Sequence, residues 1–340
     1  MNNENLILKI YSITLTLILG FIIKSSVRGS IVRTMTLVTC ALLSVSVANS
    51  QSNLTSDPNN ASFVYEDVEL FLSVYNSLHK DSDTLSVLQK EYLDKGSVGL
   101  KEYINRHGLN AELMKEAIQN SPEEYDSLKW VLGKLKQLDS DYKEICTKYS
   151  EIMAKAVFAP TYFVVGANRG IAQASKEGQL VSVTVFANQK MFKKLIPTII
   201  HELTHFQQKN TMGFEKYVDL YSQNRQDDLL GFAVREGVAE FMTMLVTGSI
   251  TQARTLQYYK EQDENKLWVK FTSDVENKLT KEWLWETVGK DNHLIAYVMG
   301  YFIAQGYYDK ASDKGQAIDE LLKAEDDMNL FIKSGLLQRR

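Results

Sequence analysis

The sequence predicts a mostly helical α+β protein with one small sheet. Three observations carry this prediction. Residues 64–150 have helical periodicity, two segments after Pro160 are rich in β-branched and aromatic residues, and helical periodicity returns near Pro197 and continues to the end. With 340 residues, 44% of them hydrophobic and 24% charged, the chain is long enough for one large domain or two modest ones.

The first 50 residues predict export. Residues 10–23 and 34–50 form two uncharged apolar runs, and neither reaches the roughly 20 residues of a free-standing membrane span. The second run follows two arginines and ends in small residues, which is the layout of a secretory signal. We therefore expect a protein of the periplasm or cell envelope, with residues 1–50 as an export signal or an N-terminal membrane anchor. A lipid on Cys40 is the weaker alternative.

A linker and a helical region come next. Polar, turn-forming residues fill positions 51–60 and predict the linker. Residues 61–155 predict a helical N-terminal region, in which Ser121 and Pro122 mark the start of one helix. This region carries no candidate chemistry, and we expect its His107, which is flanked by a basic residue, to lie at the surface rather than to bind a metal ion.

Residues 156–340 form the second region, which begins with the sheet and ends in helices. The segments 161–166 and 179–187 predict strands, and a glycine-containing loop lies between them. Helices follow from Pro197 onwards. Three loops interrupt these helices, near residues 209–214, 248–251 and 288–292.

Charge and cysteine content exclude several classes of function. The net charge of −4 disfavours a nucleic-acid partner, because binding to phosphates requires a basic face. Two cysteines cannot build a disulfide framework, so redox chemistry is not expected either.

The stretch IIHELTHFQQ places His201, Glu202 and His205 in an apolar helix. Because four residues make just over one helical turn, the two imidazoles lie on one side and can reach the same metal ion. Glu202 lies one step round, where its carboxylate can take a proton from a metal-bound water. An unpaired Glu202 in a core helix would be costly to bury, and a divalent cation removes that difficulty. The alternative is an ordinary helix with two satisfied histidines.

A catalytic zinc site needs a third protein ligand and one open position. The stretch FAVREGVAEFMTMLV, residues 232–246, carries Glu236 and Glu240 on a narrow polar stripe of an otherwise apolar helix. A buried stripe of this kind needs a partner, and the helix with the two histidines is the candidate. We expect Gly237 to let these two helices approach closely.

H-E-x-x-H followed by a helix that reads E-G-x-A-E resembles the gluzincin zinc metallopeptidases. The likeness is closest to the peptidase-MA-like and uncharacterised zinc-dependent protease families of Bacteroidetes-type bacteria, and it covers most of residues 62–337. It implies a zincin-like fold, with residues 156–340 as the catalytic region. It also implies one Zn²⁺ per chain held by His201, His205 and Glu236, although the spacing before Glu236 is longer than in the aminopeptidase and thermolysin branches. The stretches that share the resemblance are YFVVGANRG, LIPTIIHELTHFQQ, REGVAEFM, GYFIAQGYYDKASDK and, upstream, LQKEYLDKGSVGLKEYI.

The resemblance also implies roles for residues that do not bind the metal. Glu240 matches a carboxylate that accepts the second ring N–H of the first histidine; a salt bridge to Arg235 is the alternative. Tyr297, in YVMG, matches the tyrosine of a Y-x-x-G element that stabilises the oxyanion. The spacing places His293 one turn earlier, where it can be a second donor. In the alternative interpretation, Tyr297 belongs to an aromatic packing stripe.

The function that the resemblance implies is hydrolysis of a peptide or protein substrate. Glu202 would act as general base and then donate the proton to the leaving amine. In zincins an edge strand holds the extended peptide by backbone hydrogen bonds, and the segment 179–187 is the candidate strand. Two alternatives stay open. One is a non-proteolytic zinc hydrolase, or an envelope or gliding-associated structural protein that retains the metal site. The other is a helical protein without a metal, whose stripe is ordinary core polarity.

Overall fold

A computed structural model describes most of the chain after residue 53. The described ranges are residues 54–78, 83–284, 286–288 and 291–337. The predicted export signal of residues 1–50 and the first part of the predicted linker lie outside them. Within the described ranges, no helix is both long and apolar enough to cross a bilayer.

Helices make up most of the described structure, which confirms the mostly helical part of the prediction. The helices are, in chain order, α1 (Glu66–Leu78), α2 (Thr84–Val87), α3 (Val98–His107), α4 (Ala111–Asn120), α5 (Pro122–Asp126), α6 (Leu128–Ile152), α7 (Gln189–Phe192), α8 (Leu195–Met212), α9 (Phe214–Asp227), α10 (Leu229–Thr247), α11 (Ala253–Lys260), α12 (Glu264–Glu276), α13 (Lys281–Leu284), α14 (Ile295–Lys310), α15 (Lys314–Lys323) and α16 (Asp327–Ser334). Single 3-10 turns lie at Pro58–Asn60 and Val183–Phe186, and a π-helical segment spans Leu88–Leu93.

One small sheet completes the predicted α+β class. Its strands are β1 (Phe63–Val64), β2 (Thr161–Val164), β3 (Ala172–Ala174) and β4 (Gln179–Ser182). Their order is β1-β2-β4-β3, in which β2 pairs in parallel with β1 and β4 while β3 pairs antiparallel with β4. A separate antiparallel hairpin joins β5 (Glu286–Val288) and β6 (Asp291–His293).

The structure corrects the prediction for residues 179–187. The strand β4 ends at Ser182, and Val183–Phe186 continue as a 3-10 turn. Because β4 pairs with β2 on one side and β3 on the other, it is not an edge strand. The edge strand next to it is β3, which lies inside the predicted glycine-containing loop. Its three residues are small or polar and show no hydrophobic alternation from which a strand could be predicted. Only the pairing with β4 defines this strand.

Of the predicted helix boundaries, one loop is displaced, one loop is observed, and one helix start is observed without its expected cap. The helix α8 runs through most of the predicted loop at 209–214, and Gly213, at φ 90°, separates it from α9. The predicted break near 248–251 is observed, because α10 ends at Thr247 and Gly248 adopts the left-handed conformation. The helix α5 begins at Pro122 as expected, but Ser121 makes no capping hydrogen bond through its hydroxyl.

The close approach at Gly237 involves a different helix from the one we expected. A Cβ added at Gly237 would lie 2.0 Å from the carbonyl carbon of Gly300 on α14, and a Cβ at Gly300 would lie 1.7 Å from the carbonyl oxygen of Ala233. The two glycines therefore bring α10 and α14 into backbone contact, rather than α10 and α8. The result fixes the helix that carries Tyr297 against the helix that carries Glu236.

Helices of the N-terminal half support the sheet and the histidine-bearing helix. The Tyr92 hydroxyl accepts from the Val165 N–H and donates to the Val165 carbonyl, both at 2.9 Å, just beyond the end of β2. The Tyr149 hydroxyl on α6 lies 3.1 Å from Oγ1 of Thr204 on α8. The sheet and these contacts join residues 61–155 to residues 156–340, the two regions that the sequence suggested. Both regions belong to one compact unit, Asn53–Arg340.

Candidate metal centre

The helix α8 presents His201 and His205 side by side. Large apolar side chains, Ile199, Ile200 and Leu203, are fully buried and anchor the helix in the core. The opposite side of the helix bears the imidazoles, which are 5% and 7% exposed. Their Nε2 atoms lie 3.1 Å apart, so one helical turn brings both nitrogens to the same point, as the motif predicts.

The helix α10 brings Glu236 to that point. Its Oε2 lies 3.3 Å from Nε2 of His201 and 3.1 Å from Nε2 of His205, and the side chain is 2% exposed. Among the described residues, these three form the one group of histidine, cysteine or acidic side chains with the spacing of a metal site. The predicted three-residue set is therefore assembled, with Glu236 contributed from a second helix.

Gln208 determines which nitrogen of His205 carries the proton. The Gln208 amide nitrogen donates to the Arg235 carbonyl at 3.0 Å, which turns Oε1 of Gln208 towards Nδ1 of His205 at 2.8 Å. An acceptor at that distance requires N–H on Nδ1, so we assign the proton there and the lone pair to Nε2. The hydroxyl of Tyr217 lies 3.1 Å from the same Nδ1.

Glu240 lies in the corresponding place beside Nδ1 of His201. The carboxylate is fully buried, and its Oε1 lies 3.2 Å from Nδ1 of His201, although the contact is too bent to count as a hydrogen bond. The backbone N–H of Thr251 donates to Oε2 at 2.8 Å, and the Thr251 hydroxyl donates to Oε1. Among the described contacts of Glu240 there is none with Arg235, whose guanidinium lies 5.8 Å from the centre of the Tyr217 ring. Glu240 is thus held next to Nδ1 of His201, and its role as the acceptor of that N–H stays a prediction.

The electrostatics of this buried cluster favour a cation. Burial on its own disfavours charge on each group, but the carboxylates of Glu236 and Glu240 raise the pKa of His201 well above its usual value. Burial likewise opposes ionisation of Glu236, yet the two imidazoles hold its pKa well below the usual value. The buried carboxylates of Glu236 and Glu240 therefore favour added positive charge at this site, which protons or a metal ion can supply.

Glu202 and Tyr297 face the same cavity as the three candidate ligands. Glu202 is partly exposed rather than buried, so its carboxylate is accessible from the cavity. The Tyr297 ring lies nearly parallel to the His201 ring, at 12° with 6.1 Å between centroids, and packs edge-on against Phe232. Burial and the nearby Glu236 carboxylate raise the pKa of Tyr297 well above 10. Tyr297 therefore packs against aromatic rings and also lines the cavity, so the two interpretations of this residue do not exclude each other.

His293 does not have the helical relation to Tyr297 that the sequence suggested. It ends β6, and α14 begins only at Ile295, so the two residues are not one turn apart on a helix. The side chain of His293 lies outside the described part of the structure. Its role as a second donor stays a prediction.

The cavity has a volume of about 660 Å³, which is ample for several residues of a peptide. Residues of α9, β3 and the end of α3 line it together with those of the metal group. The lining residues are Arg106, His107, Ala172, Gln173, Ala174, His201, Glu202, His205, Lys209, Phe214, Tyr217, Val218, Tyr221, Glu236 and Tyr297.

Several of these residues were not predicted from the sequence. The Tyr221 hydroxyl donates to Oε1 of Glu236 at 3.0 Å, and nothing in the sequence signals this contact. Gln208 could have been found from its position three residues after His205 on the same helix face. His107 is not a free surface residue, because it is half-buried in the cavity wall with Nε2 3.0 Å from Oε1 of Gln173. A flanking basic residue was a poor guide to its exposure.

None of the protein-family models, curated proteins or solved structures compared with the chain matches it. The resemblance to the gluzincin metallopeptidases therefore stays a prediction. The functional interpretation depends on the side chains of the cavity and their geometry.

Proposed function

We propose that this protein is a zinc-dependent hydrolase, most simply a gluzincin-type metallopeptidase that cleaves peptide bonds. The observation that supports this most strongly is the convergence of three electron-rich atoms. Nδ1 of His205 carries the proton, and Nδ1 of His201 faces the Glu240 carboxylate at 3.2 Å. In the neutral tautomers with N–H on Nδ1, both Nε2 atoms present lone pairs, within 3.3 Å of Oε2 of Glu236. Lone pairs at this distance repel one another unless a cation lies between them.

The donor set and its spacing fit zinc. Zinc takes imidazole and carboxylate ligands at about 2.0–2.2 Å in a tetrahedron, which separates neighbouring ligand atoms by about 3.3 Å. The separations here are 3.1, 3.1 and 3.3 Å. His201, His205 and Glu236 would hold the ion, and a fourth position would face the cavity. Zinc bound there would polarise the scissile carbonyl and make a neighbouring water molecule more acidic.

The side chains of the cavity suit the remaining steps of peptide hydrolysis. Glu202 accepts a proton from the attacking water as the C–O bond forms, and it returns that proton to the amine nitrogen as the C–N bond breaks. The Tyr297 hydroxyl donates a hydrogen bond to the oxygen that gains negative charge. Glu240 and Gln208 keep the two imidazoles in the tautomers and orientations that ligation requires.

The edge of β3 is suited to bind an extended peptide, which also supports the zincin-like fold. Alternate residues of an antiparallel strand direct their backbone groups to the partner. The Ile171 carbonyl accepts from the Ser182 N–H of β4 at 2.9 Å, and the Ser175 N–H donates to the carbonyl of Gly178, the residue before β4, at 2.8 Å. Ala172 and Ala174 therefore direct their backbone groups to the other edge of β3, beside the cavity. The Ala174 carbonyl there already accepts from Nζ of Lys209, which leaves the Ala172 groups and the Ala174 N–H for a substrate. A substrate backbone paired there would extend the sheet by one strand.

The metal content of variants tests the site. We expect the purified protein and its Glu202→Gln variant to hold about one zinc ion per chain, and His201→Ala and Glu236→Ala to lose it. His107→Ala is the matched control, because it removes another histidine of the same cavity that is not a proposed ligand. Retention of zinc by both ligand variants would show that the metal site has been assigned wrongly.

Cleavage of a peptide library by the zinc-loaded protein tests the reaction. We expect cleavage products that disappear in Glu202→Gln, which keeps its metal. If zinc binds as expected but no peptide is cleaved, the alternative of a non-proteolytic zinc hydrolase or structural protein is favoured. If neither zinc binding nor cleavage occurs, the polar stripe is ordinary core polarity.

A further inference from the structure

Lys209 is a buried cation next to the candidate metal centre. It lies on α8 one turn beyond His205 and is 7% exposed. Its Nζ donates to the Ala174 carbonyl at the edge of β3 and lies 5.5 and 5.4 Å from the ring centres of Phe214 and Tyr217. Among the described residues, no carboxylate forms an ion pair with this ammonium group.

A buried ammonium group without a counter-charge is unfavourable in a folded protein. Burial, reinforced by the positive charge of Arg106, lowers the pKa of Lys209 to about 8. The carbonyl and the two aromatic rings compensate only part of the lost hydration. The negative charges of Glu202 and Glu102 oppose this lowering of the Lys209 pKa, but neither carboxylate forms an ion pair with the ammonium group among the described contacts. An anion in the cavity, in contact with Nζ, would therefore improve the charge balance.

Arg106 and Gln173 line the same cavity as Lys209. Arg106 is exposed at the end of α3, and within the described structure its guanidinium has no carboxylate partner. The side-chain nitrogen of Gln173 is buried and has no hydrogen-bond partner among the described residues, while its oxygen contacts Nε2 of His107. Lys209, Arg106 and Gln173 thus present N–H donors to one cavity, from α8, α3 and β3 respectively.

We propose that Lys209 and Arg106, assisted by Gln173, bind a carboxylate of the substrate. This inference rests on the proposed function, because it names a substrate class for the same cavity. A guanidinium and an ammonium group together match the charge of a carboxylate and offer more donors than its two oxygens need. Because Glu202 lines the same cavity, the bound carboxylate would lie at most a few residues along the peptide from the bond that is cut.

A peptide can supply this carboxylate in two ways. The C-terminal α-carboxylate would make the protein a carboxypeptidase or a peptidase of short chains. An aspartate or glutamate side chain would make it selective for acidic sequences. The chemistry that Lys209 and Arg106 recognise is the same in both cases, so the substrates themselves must separate them.

Binding of three peptide pools tests the proposal. All are acetylated pentapeptide mixtures: one with a free C-terminal carboxylate and no acidic side chain, one amidated and without acidic residues, and one amidated with a single glutamate. Binding is measured on the zinc-loaded Glu202→Gln protein, in which cleavage is suppressed. At least one carboxylate-containing pool should bind about tenfold more tightly than the neutral amidated pool, as expected for hydrogen bonds to a charged group. The tighter pool identifies the source of the carboxylate.

Substitutions assign that preference to the side chains. Lys209→Met keeps the length and apolar stem of the side chain, and it should reduce the preference to within about twofold. Arg106→Gln changes an exposed residue and does not threaten folding; it should lower the preference several-fold. Lys216→Met removes an exposed lysine of α9 that does not line the cavity, and it should leave the preference unchanged.

The possible outcomes separate the carboxylate site from the peptidase function. Equal binding of all pools, no binding of any pool, or a preference that survives Lys209→Met would overturn the carboxylate site. Cleavage of the pools by the unsubstituted protein without regard to charge would keep the peptidase and reject the site. A carboxylate preference that Lys209→Met removes, in a protein that cleaves no pool, would keep the site and reject the peptidase.

Discussion

Each imidazole of the candidate centre is oriented by an acceptor on its Nδ1 side. Gln208 is itself fixed by the Arg235 carbonyl, and Glu240 is fixed by two donors from Thr251. The two orienting groups differ in charge: an amide oxygen faces His205, whereas a carboxylate faces His201. A carboxylate raises the basicity of the imidazole more than an amide does, so His201 should be the stronger donor to a metal ion.

Glu240→Gln should lower the affinity for zinc by about tenfold or more, because Nδ1 of His201 loses the carboxylate that lies 3.2 Å from it. The backbone and hydroxyl donors of Thr251 would also face an amide that can accept through only one atom. Competition with a chromophoric chelator measures the change. Glu151→Gln, at an exposed position of α6, is the matched control. An unchanged affinity in Glu240→Gln would mean that this carboxylate serves only to anchor Thr251.

The sequence predicts residues of this site where one helix determines their arrangement. The grouping of His201, Glu202 and His205 follows from helical geometry, and the same geometry places Glu240 one turn after Glu236, while the role of Glu240 is implied by the resemblance. Burial of Lys209 could not be predicted in the same way. A lysine near the end of a helix is ordinarily solvated, and this one is buried only because β3 and α9 cover it.

At the scale of elements, the helices around the site were easier to predict than the strand beside it. The polar stripe on α10 predicts a partner helix, since isolated carboxylates are not buried without one. The open edge at β3 was not predictable, because Ala172–Ala174 carries neither alternation nor β-branched residues. The partner of Gly237 was equally hidden, because a glycine indicates a close approach but not which backbone approaches.

Gly300→Ala should destabilise the protein by about 2 kcal/mol or more, because the added methyl group overlaps a backbone atom that cannot move independently of its helix. A Cβ at this position would lie 1.7 Å from the carbonyl oxygen of Ala233. Separation of α10 and α14 would also shift Tyr297 relative to His201. Urea unfolding measures the loss of stability, and the peptide-cleavage rate should fall with it.

Gly133→Ala is a control that should change the stability in the opposite direction. Gly133 lies inside α6, and a Cβ added there meets no atom within 4 Å. Because alanine favours the helix and restricts the unfolded chain, this substitution should stabilise by about 0.5–1 kcal/mol. If the two variants change stability equally, the backbone contact between α10 and α14 is not as tight as described.

At the scale of the whole molecule, the two regions that the sequence suggested are joined through the sheet. The β1 residues Phe63 and Val64 pair with Thr161 and Tyr162 of β2. A strand of two residues gives no periodicity to detect, so the sequence could not predict that the helical N-terminal region contributes to the sheet. The same region supplies the Tyr149 hydroxyl that contacts α8 at Thr204, directly before His205.

A fragment of residues 156–340 should therefore fail to fold, although it contains every proposed catalytic and metal-binding residue. It would lose β1, one of the two parallel partners of β2, and the Tyr92 hydroxyl that satisfies both backbone groups of Val165. It would also expose Phe163 and Leu180, which are fully buried in the longer chain. Residues 54–340 should instead unfold in one cooperative thermal transition, at a temperature that rises with added zinc, because an ion that binds only the folded state stabilises it by mass action. Circular dichroism with and without a chelator measures both. A cooperative, zinc-dependent transition in the shorter fragment would establish that the N-terminal helices are an accessory to a self-sufficient metal-binding domain, and the position of α8 would then need no support from α6.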